Sequence, residues 1–208
     1  MVFYFTSIVP FKYTIYMGKD KFENEELIKY GLPEDIWFHV DNLSSAHVYL
    51  RLPPGKTITD IPGEVLEDCC QLVKQNSIQG CKIDNVPIVY TPWSNLKKTQ
   101  SMEVGQVGFH NQKLVLKYKV AKKVNAIVNR LEKTKKELHP DLKAMQEQRL
   151  NEIRRDEKNE KERLKKEEMD KIAENKREED IRTYKDFMEP EKMISNYDVQ
   201  DNYEDDFM

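Results

Sequence analysis

The fold of this chain is decided by two alternating runs, Asp35-Ile-Trp-Phe-His-Val40 and Ala46-His-Val-Tyr-Leu-Arg-Leu52. Successive side chains of a β-strand point to opposite faces of its sheet, so odd and even positions form different faces. The even positions are all apolar and predict a core face. The odd positions are amphipathic or charged and predict a second face, formed by Asp35, Trp37, His39, His47, Tyr49 and Arg51. If the hairpin is centred near Leu43, Trp37 lies opposite Tyr49, and His39 lies opposite His47.

The flanking segments predict an α+β domain with a mostly antiparallel sheet and two short helices. Runs of aromatic and β-branched residues indicate further strands at Val2–Ser7, Tyr13–Met17, Val86–Thr91, Val104–Phe109 and Lys113–Val120. Asp20 and Glu23 have the spacing of a capping box, which predicts a helix ending near Tyr30. A second helix is predicted to begin with Thr59 or Asp60 as its N-cap, with Pro62 in its first turn.

Charged residues make up 34% of the 208 residues, yet the net charge is only −3, because the charges are segregated along the chain. Residues 1–118 hold 12 basic and 13 acidic residues and suit a single folded domain. Residues 119–183 hold 20 basic and 16 acidic residues, which predicts a charged helical or coiled-coil region with a break near Pro140. Residues 184–208 hold 2 basic and 8 acidic residues and predict a disordered acidic tail.

A heptad-like pattern follows the predicted domain. Its apolar positions are Val120, Val124, Ile127, Leu131 and Leu138. This spacing indicates either a short coiled coil or a helix packed back on the domain. Residues 119–143 hold 8 basic and 3 acidic residues, so this helix would have a basic polar face, and residues 119–139 could bind a helical partner. Beyond Asp141 we expect a solvated single helix.

The odd-numbered face of the hairpin is the first candidate site. Aromatic rings such as Trp37, Tyr49 and the imidazole of His39 can stack on bases, at about 1–3 kcal/mol per base. Arg51 could add phosphate or stacking contacts, and single-stranded RNA is commonly bound on such sheet surfaces. In the alternative, a helix covers this face, and the aromatic residues form a second layer of core. The exposure of Trp37 and His39 distinguishes the two possibilities.

Two basic segments are further candidate sites. Lys19 and Lys21 flank a predicted helix start, where free backbone N–H groups attract phosphate, unless Asp20 and Glu23 already occupy those donors. Lys97 and Lys98 form a second basic pair beside Trp93. We therefore expect a nucleic-acid-binding module that binds phosphate through the four lysines. The alternative without nucleic acid is a scaffold that acts through its helical tail.

Other functional classes have weaker support in the sequence. His39, His47 and Asp35 could form a metal or acid–base site, but no third ligand at diagnostic spacing, Gly-rich phosphate loop or nucleophile motif accompanies them. We therefore expect no enzyme activity, cofactor, metal or small-molecule substrate. The cysteines, Cys69, Cys70 and Cys81, are too few for a disulfide framework and indicate reduced thiols in the cytosol or nucleus. We expect a cytoplasmic protein.

Five short motifs together resemble the NFACT-R domain family. They are Asp35-x-Trp-Phe-His39, Ser45-x-His-Val48, Val89-Tyr-Thr91, Lys97-Lys98 and Gly105-x-Val-Gly-Phe109. The resemblance implies nucleic-acid binding, first proposed as RNA binding, in proteins tied to ribosome-associated quality control. A ribosome or another ribonucleoprotein is therefore the implied partner.

The resemblance also implies an alternative role, as a membrane-associated receptor that senses extracellular DNA. The implied DNA-contacting segment consists of Lys19, Asp20, Lys21, Phe22 and Glu23. The implied membrane span falls near Val104–Val120. That stretch contains His110, Lys113 and Lys117, and charged residues at mid-bilayer cost several kcal/mol each, so the sequence itself favours strand–turn–strand.

Overall fold

A computed structural model of the chain describes residues 1–9 and 13–183, and its largest feature is a seven-stranded antiparallel sheet. The predicted acidic tail, residues 184–208, lies outside the described residues. The strands are β1 (Val2–Thr6), β2 (Thr14–Gly18), β3 (Asp35–Val40), β4 (Val48–Arg51), β5 (Val86–Pro92), β6 (Leu96–Lys97), β7 (Gly108–Phe109), β8 (Leu116–Val120) and β9 (Lys136–Leu138). The helices are α1 (Lys21–Lys29), α2 (Gly63–Gln75), α3 (Asn125–Lys133) and α4 (Leu142–Arg182).

The strand order in the sheet is β8-β5-β3-β4-β2-β1-β9, and each neighbouring pair is antiparallel. The predicted hairpin lies at its centre, and Trp37 pairs with Tyr49 as predicted. Strands β6 and β7 form a separate two-stranded ribbon. The predicted α+β class with a mostly antiparallel sheet is confirmed.

The two faces of the sheet carry two separate layers of core. The even-numbered face packs on α2 and α3, and Phe38 and Leu50 of the sheet share a buried cluster with Leu72 of α2. The odd-numbered face has a second buried cluster that includes Trp37, Tyr49 and Leu27 of α1. Partly buried side chains from the β6–β7 ribbon and from Leu142 pack against this second cluster, so both faces of the central strands are covered.

Both predicted helices form, but only one begins where the sequence predicted. Asp20 is the N-cap of α1 and accepts hydrogen bonds from the backbone N–H groups of Phe22 and Glu23. Helix α2 begins later than predicted, at Gly63 with Pro62 as its N-cap. The backbone of a residue that precedes proline avoids the helical conformation, and Ile61, which precedes Pro62, is extended. This break separates α2 from a 3-10 turn that contains Asp60, the predicted cap residue.

The predicted domain boundary at residue 118 lies inside a strand. Strand β8 continues to Val120, α3 packs on α2, and β9 pairs with β1 at the far edge of the sheet. Leu131 of α3 is fully buried. Of the heptad-like residues, Val120 ends β8, Ile127 and Leu131 lie in α3, and Leu138 lies in β9. The compact unit extends to Leu150.

The described residues beyond Leu150 form a second unit, which contains the greater part of α4. Helix α4 begins just after Pro140, where the break was predicted, and none of its residues is buried. Charged neighbours along it pair at helical spacing, for example Lys158 with Glu162. None of the helices in the described part of the chain combines the length and the apolar character that a membrane span needs. The segment 104–120 instead contains β7, a 3-10 turn and β8, as the strand–turn–strand prediction required.

Candidate nucleic-acid interface

The odd-numbered face of the central hairpin is covered and cannot act as an open stacking surface. Trp37 is 2% exposed, His47 4% and Tyr49 0%. The prediction that Trp37 and Tyr49 stack on bases is therefore wrong. Residues of α1, the β6–β7 ribbon and Leu142 pack over this face, so its aromatic residues form a second layer of core, as in the alternative interpretation. Of this face, His39 and Arg51 remain half-buried.

A compact aromatic cluster surrounds Trp37. The His39 ring stacks parallel to the Trp37 ring with centroids 5.4 Å apart, and Phe109 meets Trp37 edge-on at 5.7 Å. The Trp37 indole donates from Nε1 to Nδ1 of His47 at 2.9 Å, so the neutral His47 carries its proton on Nε2.

Burial keeps both histidines of this cluster uncharged. Desolvation, with a smaller contribution from His39, lowers the pKa of His47 to about 3. Burial also lowers the pKa of His39, although its Nδ1 donates to the Val40 carbonyl oxygen at 2.7 Å. Among the described residues, no group of three His, Cys, Asp or Glu side chains could hold a metal ion.

Arg51 is occupied by an internal ion pair. Its Nε donates to the buried Asp35 carboxylate at 3.0 Å, and the guanidinium lies over the Tyr16 ring at 5.1 Å. Asp35 also accepts from the Tyr16 hydroxyl at 2.6 Å and from the Leu32 backbone N–H at 2.8 Å. Arg51 therefore ties β4 to β3, and the phosphate contact predicted for it would require this pair to break.

At the start of α1, Lys19 and Lys21 are accessible to a ligand, but the backbone N–H groups of Phe22 and Glu23 are not. Asp20 already holds the N–H groups of Phe22 and Glu23, and these hydrogen bonds, chiefly that of Glu23, lower the pKa of Asp20. Glu23 pairs with the N-terminal amine at 2.6 Å instead of completing the capping box. Lys19 and Lys21 are exposed, and Phe22 is 65% exposed. Phosphate would therefore meet lysine ammonium groups here, and not the helix N–H groups.

The two lysines beside Trp93 have different roles. Lys97 is exposed. Lys98 donates to Glu25 Oε1 and to the Glu103 carbonyl oxygen, both at 2.7 Å, and to the Gln106 carbonyl oxygen at 2.9 Å. Three acceptors satisfy an ammonium group, so Lys98 holds the loop before β7 against α1.

A groove with a volume of about 1200 Å³ brings several predicted site residues together. Lys19, Asp20, Lys21, His39 and His47 all line it. The other predicted site residues do not line it, namely Phe22, Glu23, Trp37, Tyr49, Arg51, Lys97 and Lys98. The groove also contains Ser44, Ser45 and Gln106, which supply uncharged polar groups.

Lys135 lines the same groove. The sequence predicted residues 119–143 as a local basic site for nucleic acid but did not single out Lys135. Its ammonium lies 3.9 Å from the centroid of the Phe3 ring. The basic residues of the segment 119–143 were expected on the polar face of a helix. The pairing of β9 with β1 brings Lys135 beside the first strand.

The comparisons with known proteins agree with this fold. The family model described as the NFACT protein RNA binding domain matches residues 1–111. The C-terminal part of the fibronectin/fibrinogen-binding protein from Streptococcus suis has a TM-score of 0.52 at 19% identity, covering 64% of this chain and 49% of that one. This likeness shows the fold alone.

Similar chains extend beyond the matched domain. Coiled-coil domain-containing protein 25 is 59% identical in Bos taurus, over 210 residues, and 60% identical in Danio rerio, over 209 residues; both alignments cover 100% of both chains. Protein JLP2 of Saccharomyces cerevisiae is 49% identical over 135 residues, which is 64% of this chain and 65% of that protein. The matched domain family is one of RNA-binding domains, which is consistent with nucleic-acid binding. The chain belongs to the coiled-coil domain-containing protein 25 family and carries an NFACT protein RNA binding domain.

Proposed function

We propose that this chain is a non-enzymatic RNA-binding protein that holds the RNA backbone in the groove beside the start of α1. The observation that carries the proposal is the grouping of Lys19, Lys21 and Lys135 around one groove of about 1200 Å³. Phosphate contacts from lysine supply much of the affinity in nucleic-acid complexes. The match to an RNA-binding domain family favours RNA as the ligand.

The groove lining has no net charge, because three carboxylates offset its three lysines. Glu103 and Glu132 also line it, and the Asp20 carboxylate is already used as the helix cap. Attraction therefore depends on where the ammonium groups lie. Phe22 is exposed beside Lys21, with the Lys21 ammonium 5.3 Å from its ring centroid, and an exposed aromatic ring next to a cation suits a stacked base.

The histidines support a binding role better than a catalytic one. A general base works best with a pKa near the working pH, whereas burial lowers the pKa of His47 to about 3. Its Nδ1 is also occupied by the Trp37 indole. We infer that these imidazoles form part of the wall of the groove and take no part in proton transfer. The implied setting is a ribonucleoprotein such as the ribosome, and the residues of α4 beyond Leu150 would reach a neighbouring partner.

The test is a salt-titrated binding series on the full chain with single-stranded RNA, duplex RNA, single-stranded DNA and duplex DNA. We expect the double variant Lys19→Glu and Lys21→Glu to lose at least about tenfold in RNA affinity. The slope of log affinity against log salt should fall by about 1.4, since each lost phosphate contact on a single strand contributes about 0.7.

The matched control carries the same charge change at Lys56→Glu and Lys82→Glu, two exposed lysines that do not line the groove. The control should bind as the unmodified chain does. Equal affinity of the two double variants for RNA would show that the groove is not the binding site. Tighter binding of duplex DNA than of any RNA would replace the RNA proposal with the DNA alternative.

A further inference from the structure

A second, smaller cavity of about 260 Å³ lies next to the groove. The two cavities share His39, His47, Gly105 and Gln106 in their linings. The loop at Gly105 also approaches the helix start, since a Cβ added to Gly105 would stand 3.6 Å from the Cβ of Lys21. A strand held by the groove lysines therefore passes close to the mouth of this second cavity.

The walls of the smaller cavity are aromatic. Trp37 lies at the inside, where His39 stacks on it at an interplanar angle of 3° and Phe109 meets it edge-on. Trp37 is almost wholly buried, whereas His39 and Phe109 are half-buried. The ring surfaces that a ligand can reach are thus those of His39 and Phe109, and the stack on Trp37 fixes their orientation.

The cavity is also uncharged where the rings are. Burial lowers the pKa of His39, so its imidazole is neutral near pH 7, and His47 is neutral as well. The Asp41 carboxylate at the rim is paired with Lys117 at 2.6 Å. Asn42 follows in the turn, where it is exposed with a φ of 59°, and its amide can donate and accept. An aromatic, neutral cavity with an amide at its rim suits a nucleobase and not a phosphate.

We propose that this cavity, between His39 and Phe109, takes one unpaired base of a single RNA strand whose phosphates lie at Lys19 and Lys21. This inference rests on the proposed function and adds the class of RNA that the site selects. A paired base is stacked inside its helix and cannot enter without being flipped out. The site therefore prefers single-stranded RNA, and the preference comes from the bases.

The test measures binding of the full chain to a single-stranded RNA of about ten nucleotides and to an abasic strand of the same length. We expect the base-containing strand to bind about tenfold more tightly, the size of effect that one stacked base supplies. His39→Ala should weaken binding of the base-containing strand far more than binding of the abasic strand, so this difference should shrink. His39→Phe, which keeps an aromatic ring on Trp37, should retain most of it.

His110→Ala is the matched control, because His110 is exposed and does not line the cavity. A thermal melt of each variant checks that it is folded, and His39→Phe keeps the test decisive if His39→Ala unfolds. If the unmodified chain binds both strands equally, or if neither His39 variant changes the base preference, the cavity does not hold a base and the groove proposal stands. If the chain binds neither strand, the proposed function fails and this inference fails with it.

Discussion

His47 illustrates how burial sets the chemistry of a single residue in this domain. The side chain is 4% exposed, accepts a hydrogen bond from Trp37, and has its pKa lowered to about 3. In the unfolded chain its pKa returns to about 6.5. Between these two values the unfolded chain binds a proton that the folded chain does not bind, so stability rises with pH across this range.

We expect the free energy of unfolding to fall as the pH is lowered from 7 to 5. The loss due to His47 should be about 2 kcal/mol, and His39, whose pKa is also lowered, should add to it in the same direction. Urea denaturation at both pH values measures the effect. His47→Gln keeps an acceptor for Trp37 but does not titrate, so this variant should lose about 2 kcal/mol less between the two pH values. Identical pH dependence in the variant and the unmodified chain would contradict the assignment.

At the scale of elements, α3 and β9 decide where the domain ends. Leu131 of α3 is fully buried in the same core as α2, whereas Leu138 of β9 is 51% exposed. Both belong to the same heptad-like pattern, but only one contributes a large apolar side chain to the core.

Leu131→Ala should therefore lower the free energy of unfolding by about 2–5 kcal/mol, as deletion of a fully buried leucine side chain does. Leu138→Ala is the matched control and should change it by no more than about 0.5 kcal/mol, because a half-exposed side chain leaves no cavity. Denaturant titration of the full chain measures both. Equal effects at the two positions would mean that α3 does not pack on the domain.

For the molecule as a whole, the compact unit 1–150 is expected to carry both the stability and the RNA groove. Helix α4 has no buried residue, and its apolar side chains at Leu164, Met169 and Ile172 are each more than half exposed. A helix of this kind is stabilised by its own charge pairs and contributes little to a core.

A chain ending at Leu150 should unfold cooperatively with nearly the stability of the full chain and should bind RNA with similar affinity. A chain ending at Tyr118 should not unfold cooperatively, because it lacks Val120, Leu131 and the edge strand β9. Circular dichroism with urea titration compares the three chains. Cooperative unfolding of the shortest chain would support the domain boundary at residue 118 that the charge pattern predicts.

The sequence by itself determined the features that depend on neighbouring residues. Strand alternation assigned Trp37 and Tyr49 to the face opposite Phe38, and the register followed from the length of the turn. The cap at Asp20 was equally local, since a side-chain oxygen reaches the N–H groups two and three residues later. The accessibility of Lys19 and Lys21 is consistent with their position before and at the first helical residue.

The tertiary structure decided what covers each surface and which charges remain free. The aromatic face is buried by Leu27, Phe109 and Leu142, which come from three distant parts of the chain. The Lys98 ammonium donates its hydrogen bonds to carbonyl groups of a folded loop. Lys135 reaches the groove because β9 pairs with β1. Alternation and capping act over a few residues, whereas burial and ion pairing depend on contacts between segments that are far apart in sequence. For that reason the sequence could name the faces and the lysines, and only the fold could select which of them are available to a ligand.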